Sequence, residues 1–289
     1  MSSSQATGDG DPARGGLPAH VGMPDRNPLV VAHRGASEEL AEHTLAAYRR
    51  AVEQGADALE CDVRMTRDGT LVCVHDRRID RTSDGFGVVS AKTLEDLSRN
   101  DFGAWRDSWD DFEDPPEYDE ERRSVLTLDR LLELVVDTPR PLGLLIETKH
   151  PTRYAGWVEQ AVVEALERYG LARLPRGDLS SPVRVMSFAE IALRRMRSLA
   201  PGVPTVFLMD RVPLRFRDGT RPYGALVAGP SVDVLKAHPR YVGRVHDQGG
   251  QVYVWTADRL ADVDLCVRLG VDAVITNRPL AVLEHLGRA

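Results

Sequence analysis

From Leu29 onward the chain alternates short apolar runs with longer segments whose apolar residues recur at helical spacing, and this alternation constrains the fold more than any other feature. Eight runs read as strands: Leu29 to Ala32, Ala58 to Val63, Leu142 to Ile146, Val183 to Met186, Thr205 to Leu208, Ala225 to Ala228, Val252 to Trp255 and Ala273 to Ile275. Several intervening segments carry helix boundaries. Leu45, Tyr48 and Val52 share a face behind Thr44 and stop at Gly55. Trp157, Val158, Ala161, Val162, Ala165, Leu166 and Tyr169 form a broad stripe that stops at Gly170. Ile191 to Leu199 stops before Pro201, and Asp258 to Leu269 stops at Gly270. Strands joined through helices pair in parallel, and eight of them predict an α/β protein with a closed (β/α)8 TIM barrel; a doubly wound open sheet is the alternative.

One place breaks the alternation. The run Ala58 to Val63 is followed after Thr66-Arg67-Asp68-Gly69 by a second apolar run, Leu71 to Val74, too soon for a parallel crossover. The pair predicts a β-hairpin turning at Asp68-Gly69, with His75 roughly opposite Glu60.

Outside the alternating region, residues 1–27 are rich in Ser, Gly, Pro and Asp and read as a disordered lead-in, leaving 28–289 as one barrel domain. Residues 100–123 show no period. Ten acids between Asp101 and Glu121 face Arg106 alone, so this reads as a solvated loop insertion, pinned by Phe102, Trp105, Trp109 and Phe112. The formal charge of −7 argues against a nucleic-acid partner, which would demand clustered Lys and Arg. No apolar run is long enough to cross a membrane. Cys61, Cys73 and Cys266 are odd in number and widely spaced, which fits a reducing, cytoplasmic setting better than a disulfide scaffold.

The chemistry concentrates where strands end. Residues two apart on a strand project to one side, so Glu60 and Asp62 face together, and two buried carboxylates are costly without a cation. A salt-bridged pair with Arg64, next on that face, accounts for the spacing equally well. The run Leu144-Leu145-Ile146 repeats the design in Glu147-Thr148-Lys149. Glu60, Asp62 and Glu147 together form an all-oxygen set suited to Mg²⁺ or Ca²⁺, which leaves Lys149 free for an anionic substrate group. His33 and His75 also sit where strands empty into loops, the active-site end of a barrel, and two imidazoles suit general acid-base work at phosphorus. Gly-x-Ser-x-Gly, His-Glu-x-x-His, Walker and dinucleotide-binding signatures are absent from the sequence.

The series His33-Arg34-Gly35-Ala36-Ser37, Glu42-His43-Thr44, Gly55 to Val63, Thr66 to Gly69, His75-Asp76 and Arg81-Thr82 resembles the glycerophosphodiester phosphodiesterase family. The likeness continues through Ile146 to Lys149, Ser187-Phe188, Val254-Trp255-Thr256, Gly270-Val271-Asp272 and Arg278-Pro279. The resemblance implies metal-dependent hydrolysis of a glycerophosphodiester to sn-glycerol 3-phosphate and an alcohol. It implies Glu60, Asp62 and Glu147 as metal ligands, and His33 and His75 as the acid-base pair. Arg34 and Lys149 become phosphate contacts, and Phe188 and Trp255 the aromatic wall beside the glycerol. The chain departs from the family pattern at His43 and Asp258, where Asn is usual, and at Asn277, where Asp is usual. His43 is read as a hydrogen-bonding residue at the helix entry. A lysophospholipase D-like enzyme and a non-catalytic phosphate-ester-binding barrel are the alternatives. The lack of a basic or amphipathic membrane-binding stretch favours a water-soluble, deacylated substrate.

Overall fold

The computed structural model describes residues 27–106, 119–172, 175 and 179–289. Nine strands are present among them: β1 (Leu29–His33), β2 (Ala58–Met65), β3 (Leu71–Cys73), β4 (Gly143–Thr148), β5 (Val183–Ser187), β6 (Thr205–Met209), β7 (Val227–Pro230), β8 (Gln251–Val254) and β9 (Ala273–Thr276). β1 pairs in parallel with both β2 and β9, so the eight parallel strands β1, β2, β4, β5, β6, β7, β8 and β9 close into a barrel. The open-sheet alternative is thereby excluded.

β3 lies outside the closed set. It runs antiparallel to Val63–Met65 of β2, beyond the part of β2 that pairs with β1. The turn is closed by Thr66 N–H donating to the Thr70 carbonyl (2.9 Å), and Gly69 takes a φ of +86° there. Val63 is paired with Cys73, and continuing that register puts His75 level with Cys61, one residue from the expected Glu60.

Period-two alternation divides each strand between two cores. Leu29, Val31, Ala58, Leu145, Val206 and Ile275 fill the barrel interior, while Leu59, Cys61, Val63, Leu144 and Ile146 pack outward against the helices. The first helix, Leu45–Glu53, is capped by the Thr44 side chain, which accepts from Ala47 N–H. Two expectations shift. The strand β7 begins two residues later than predicted and includes Gly229 and Pro230, beyond the predicted end at Ala228. Pro230 stands at the strand end, where its missing N–H costs little. Trp157, counted in the apolar stripe, is 68% exposed, because it occupies the first helical position and packing begins at Val158.

The ends of the acidic segment are tied down. Phe102 is buried against Val72, Ile79 and Leu97, and Asp101 and Glu121 pair with Arg123 and Arg49. Trp105 is more exposed and donates its indole N–H to the Phe102 carbonyl (3.1 Å). Trp109, Phe112 and the lead-in (1–26) lie outside the described residues. No helix among the described residues is long and apolar enough to cross a membrane.

Arg184 of β5 is fully buried inside the barrel. Its guanidinium donates to the carbonyls of Ser181 (3.0 Å) and Leu179 (2.6 Å) and lies 5.5 Å from the Tyr253 ring centroid. Replacing Arg184 with Ala strands those carbonyls and opens a cavity, so it is expected to lower unfolding free energy by about 3 kcal/mol in urea titration. A loss under about 1 kcal/mol would contradict that role.

Candidate active site

The strand registers assemble the site. His33 is the pairing partner of Glu60 between β1 and β2, and Asp62 is the partner of Glu147 between β2 and β4. Neighbouring strands thus carry their functional side chains at one level, on the face where the parallel strands end. Glu60, Asp62 and Glu147 are all buried, and one oxygen from each lies within 4.8 Å of the others. This is the only such cluster of His, Cys, Asp or Glu among the described residues.

Burial pushes the Glu60 carboxyl well above its usual range, and Asp62 beside it adds to the effect. Glu147 rises to about 7 for the same two reasons. Asp62 goes the other way. Burial opposes its ionisation, but the His43 hydrogen bond and the charges of Lys149 and Arg34 outweigh it and hold the group well below the usual range. One of its oxygens, Oδ1, lies 3.0 Å from Lys149 Nζ yet receives no well-directed hydrogen bond. A cluster of hard oxygens with a lone pair unclaimed fits a divalent cation such as Mg²⁺ or Ca²⁺.

Lys149 meets two of the carboxylates directly. Its ammonium bridges Asp62 Oδ1 and Glu147 Oε1 (2.8 Å), because both carboxylates lie within reach of the strand end. Arg34 is likewise engaged, with Nε 3.1 Å from Asp62 Oδ2 and Nη1 3.1 Å from Glu42 Oε1. Arg64, weighed as a partner for the strand-end acids, instead donates from Nε (3.0 Å) and Nη2 (2.7 Å) to the His75 carbonyl.

The two histidines are held differently. His33 Nδ1 lies 2.7 Å from Asn277 Oδ1. The Asn277 amide nitrogen donates to Asp258 Oδ2 (2.7 Å), which turns Oδ1 toward His33 and makes Nδ1 the protonated nitrogen. Burial, reinforced by Arg34, lowers His33 to about 4, so the ring is neutral at pH 7. His75 is more exposed and has Nδ1 2.7 Å from Asp76 Oδ1, while Arg81 holds the other Asp76 oxygen at 2.6 Å.

His33, Arg34, Glu60, His75, Glu147 and Lys149 line one cavity of about 290 Å³. Phe188 and Trp255 also line it, ring centroids 5.4 Å apart and nearly perpendicular. The Trp255 indole is fixed by donation to the Gly229 carbonyl (2.7 Å).

Residues 33–281 match the model of the glycerophosphoryl diester phosphodiesterase family. The chain belongs to that family. It is 47% identical over 253 residues to a Mycobacterium tuberculosis protein named "Probable glycerophosphodiester phosphodiesterase 1", covering 88% of this chain and 90% of that one. It is 32% identical over 261 residues to the Bacillus subtilis glycerophosphodiester phosphodiesterase, covering 89% and 85%. The solved structure of an Oleispira antarctica phosphodiesterase in complex with the product sn-glycerol-3-phosphate superposes with a TM-score of 0.75 at 23% identity, covering 90% of this chain and 97% of that one.

Sequence reasoning missed part of this family member's site. His43 does stand hydrogen-bonded at the helix entry, next to the Thr44 cap, but it also reaches the carboxylates: it is buried with Nε2 2.9 Å from Asp62 Oδ2. The Tyr48 hydroxyl lies 2.8 Å from His43 Nδ1 and 3.0 Å from the Glu60 carbonyl oxygen. Tyr48 reads in sequence only as an apolar helix position. Glu42 bridges Arg34 and Arg81, and the Glu42-His43-Thr44 motif was the available signal. His150, which follows Lys149, pairs with buried Glu159 (2.6 Å).

Burial of Glu42 opposes ionisation, but hydrogen bonds from Arg81 and the Arg34 charge outweigh it and hold its carboxyl at about 2, against an ordinary 4.5. A depressed carboxylate contributes stability that is fully present above its unfolded value and fades as pH falls toward the folded one. Glu42→Gln is therefore expected to lower Tm at pH 7, with the difference from the parent shrinking between pH 4.5 and 2. Thermal melts across that range check it, and a pH-independent difference would refute it.

Proposed function

We propose that this chain hydrolyses glycerophosphodiesters to sn-glycerol 3-phosphate and an alcohol, with Glu60, Asp62 and Glu147 holding a divalent cation and His33 and His75 carrying the protons. The observation that supports this reading most directly is the single cavity bordered by both histidines, by clustered carboxylates and by Arg34 and Lys149. Bound there, the cation supplies Lewis-acid stabilisation of phosphoryl charge and turns the net −1 of three carboxylates against Arg34 and Lys149 into +1, opposite a monoanionic diester.

Hydrolysis forms a bond from the attacking oxygen to phosphorus and breaks the bond from phosphorus to the alcohol oxygen. One proton leaves the nucleophile and one reaches the departing alkoxide. With Nδ1 committed to Asn277 or Asp76, each ring keeps Nε2 for one of those transfers. Arg34 and Lys149 present donors to the phosphoryl oxygens, where charge builds as the bond forms. The edge-to-face pair of Phe188 and Trp255 gives the carbon face of a glycerol an apolar wall and excludes water from that side. The three cysteines are buried free thiols, which supports a reducing, cytoplasmic location.

Purified protein given glycerophosphocholine or glycerophosphoethanolamine with Mg²⁺ or Ca²⁺ is expected to release glycerol 3-phosphate, and a chelator to stop it. Absence of turnover with every diester and metal would overturn the reading. His33→Ala and His75→Ala are each expected to lower kcat by about 10²- to 10⁴-fold while metal affinity by calorimetry is retained. Glu60→Gln is expected to weaken metal binding itself. Unchanged affinity in that variant would remove Glu60 from the ligand set.

A further inference from the structure

A second cavity, of about 320 Å³, adjoins the first and shares Lys149 with it. Its walls come from the outer end of β2, the loop after His75 and the segment following β4. Arg64, Arg77 and Arg153 converge on it, and no carboxylate of the described residues lines it. Arg77 and Arg153 pair with no acid among the described residues, and the Arg64 guanidinium donates to the His75 carbonyl oxygen and forms no ion pair with them. Met65, Val89 and Val158 supply an apolar floor. Three guanidinium groups over an apolar floor form a site for an organic anion, and the planar fork of Arg suits a phosphate monoester.

We propose that this cavity seats the departing alcohol and favours diesters whose alcohol carries a second phosphate. This rests on the phosphodiesterase reading, because it takes the scissile phosphorus to lie in the first cavity. The position agrees with that: Lys149 borders both spaces, and Arg64 ties the second cavity to the backbone of His75. A polyol phosphate placed beyond Lys149 then meets Arg77 and Arg153 with its distal phosphate and the floor with its carbon skeleton.

The test compares two diesters that differ by one phosphate, glycerophosphoinositol 4-phosphate and glycerophosphoinositol, with glycerophosphocholine as a third substrate. The parent protein is expected to show kcat/KM about tenfold higher for the phosphorylated member, mainly through KM, and the ratio to shrink as salt rises from 0.05 to 0.5 M. Arg77→Ala with Arg153→Ala is expected to bring the ratio close to one. Because both side chains are exposed, the double variant is expected to keep the parent Tm. Turnover of all three substrates with a ratio near one in the parent, or a ratio that survives both substitutions, overturns the second cavity as a phosphate subsite. Failure to turn over any of the three overturns the phosphodiesterase reading instead.

Discussion

Three carboxylates drawn into the end of a barrel are the constraint on which the rest of the site depends. Glu60 and Asp62 reach the interior because residues two apart on β2 share a face, and Glu147 joins them because the β2–β4 register sets it beside Asp62. In so poorly solvated a place, like charges this close resist ionisation, and Glu60 and Glu147 show it while Asp62 escapes. Asp62 escapes because three cationic or donor groups converge on it: Arg34, Lys149 and His43. Positive charge is the common requirement, whether it comes from side chains or from a metal.

That requirement explains the local backbone. To turn its guanidinium back over Asp62, Arg34 adopts a φ of +57° immediately after β1, and Gly35 follows at +88°. A Cβ on Gly35 would lie 2.7 Å from the Ala47 carbonyl carbon, so the turn admits glycine alone there and packs against the first helix. The same helix supplies Tyr48, whose hydroxyl touches both His43 and the Glu60 carbonyl. Arg34 is steadied from outside by Glu42, itself gripped by Arg81. A chain of alternating charges thus runs from the buried carboxylates to the surface, and no member of it is left alone in the low-dielectric interior.

The barrel and its chemically active strand ends were legible in the sequence because both follow from strict periodicity. Apolar runs identified the eight strands, and the i, i+2 spacing of Glu60 and Asp62 gave their common face. The hairpin position was readable from Asp68-Gly69, but its register came out one residue off, since turn type and not spacing fixes which residues face each other. The second contact of Lys149 was not legible, because sequence shows a lysine at i+2 from Glu147 but not that Asp62 arrives from the neighbouring strand. His43 and Tyr48 were undervalued for the same reason. Their function lies in contacts 19 and 12 residues away, and no local pattern encodes such contacts.

Burial lowers the proton affinity of both histidines, and what stands behind each ring differs. Each ring has Nδ1 tied down, which fixes its plane and leaves the other nitrogen for the cavity, yet the ties differ in charge. His33 leans on a neutral amide whose orientation is set by Asp258, with Arg34 alongside, and both the burial and the neighbouring cation disfavour a charged ring. Behind His75 stands a carboxylate, shared with Arg81 and closer to solvent. Asp258 therefore contributes its orienting power to His33 at one remove, through an amide that transmits direction without delivering a full negative charge to the ring. A carboxylate placed directly against His33 would have supplied the same geometry and raised its proton affinity, so the Asp258–Asn277 arrangement separates orientation from charge.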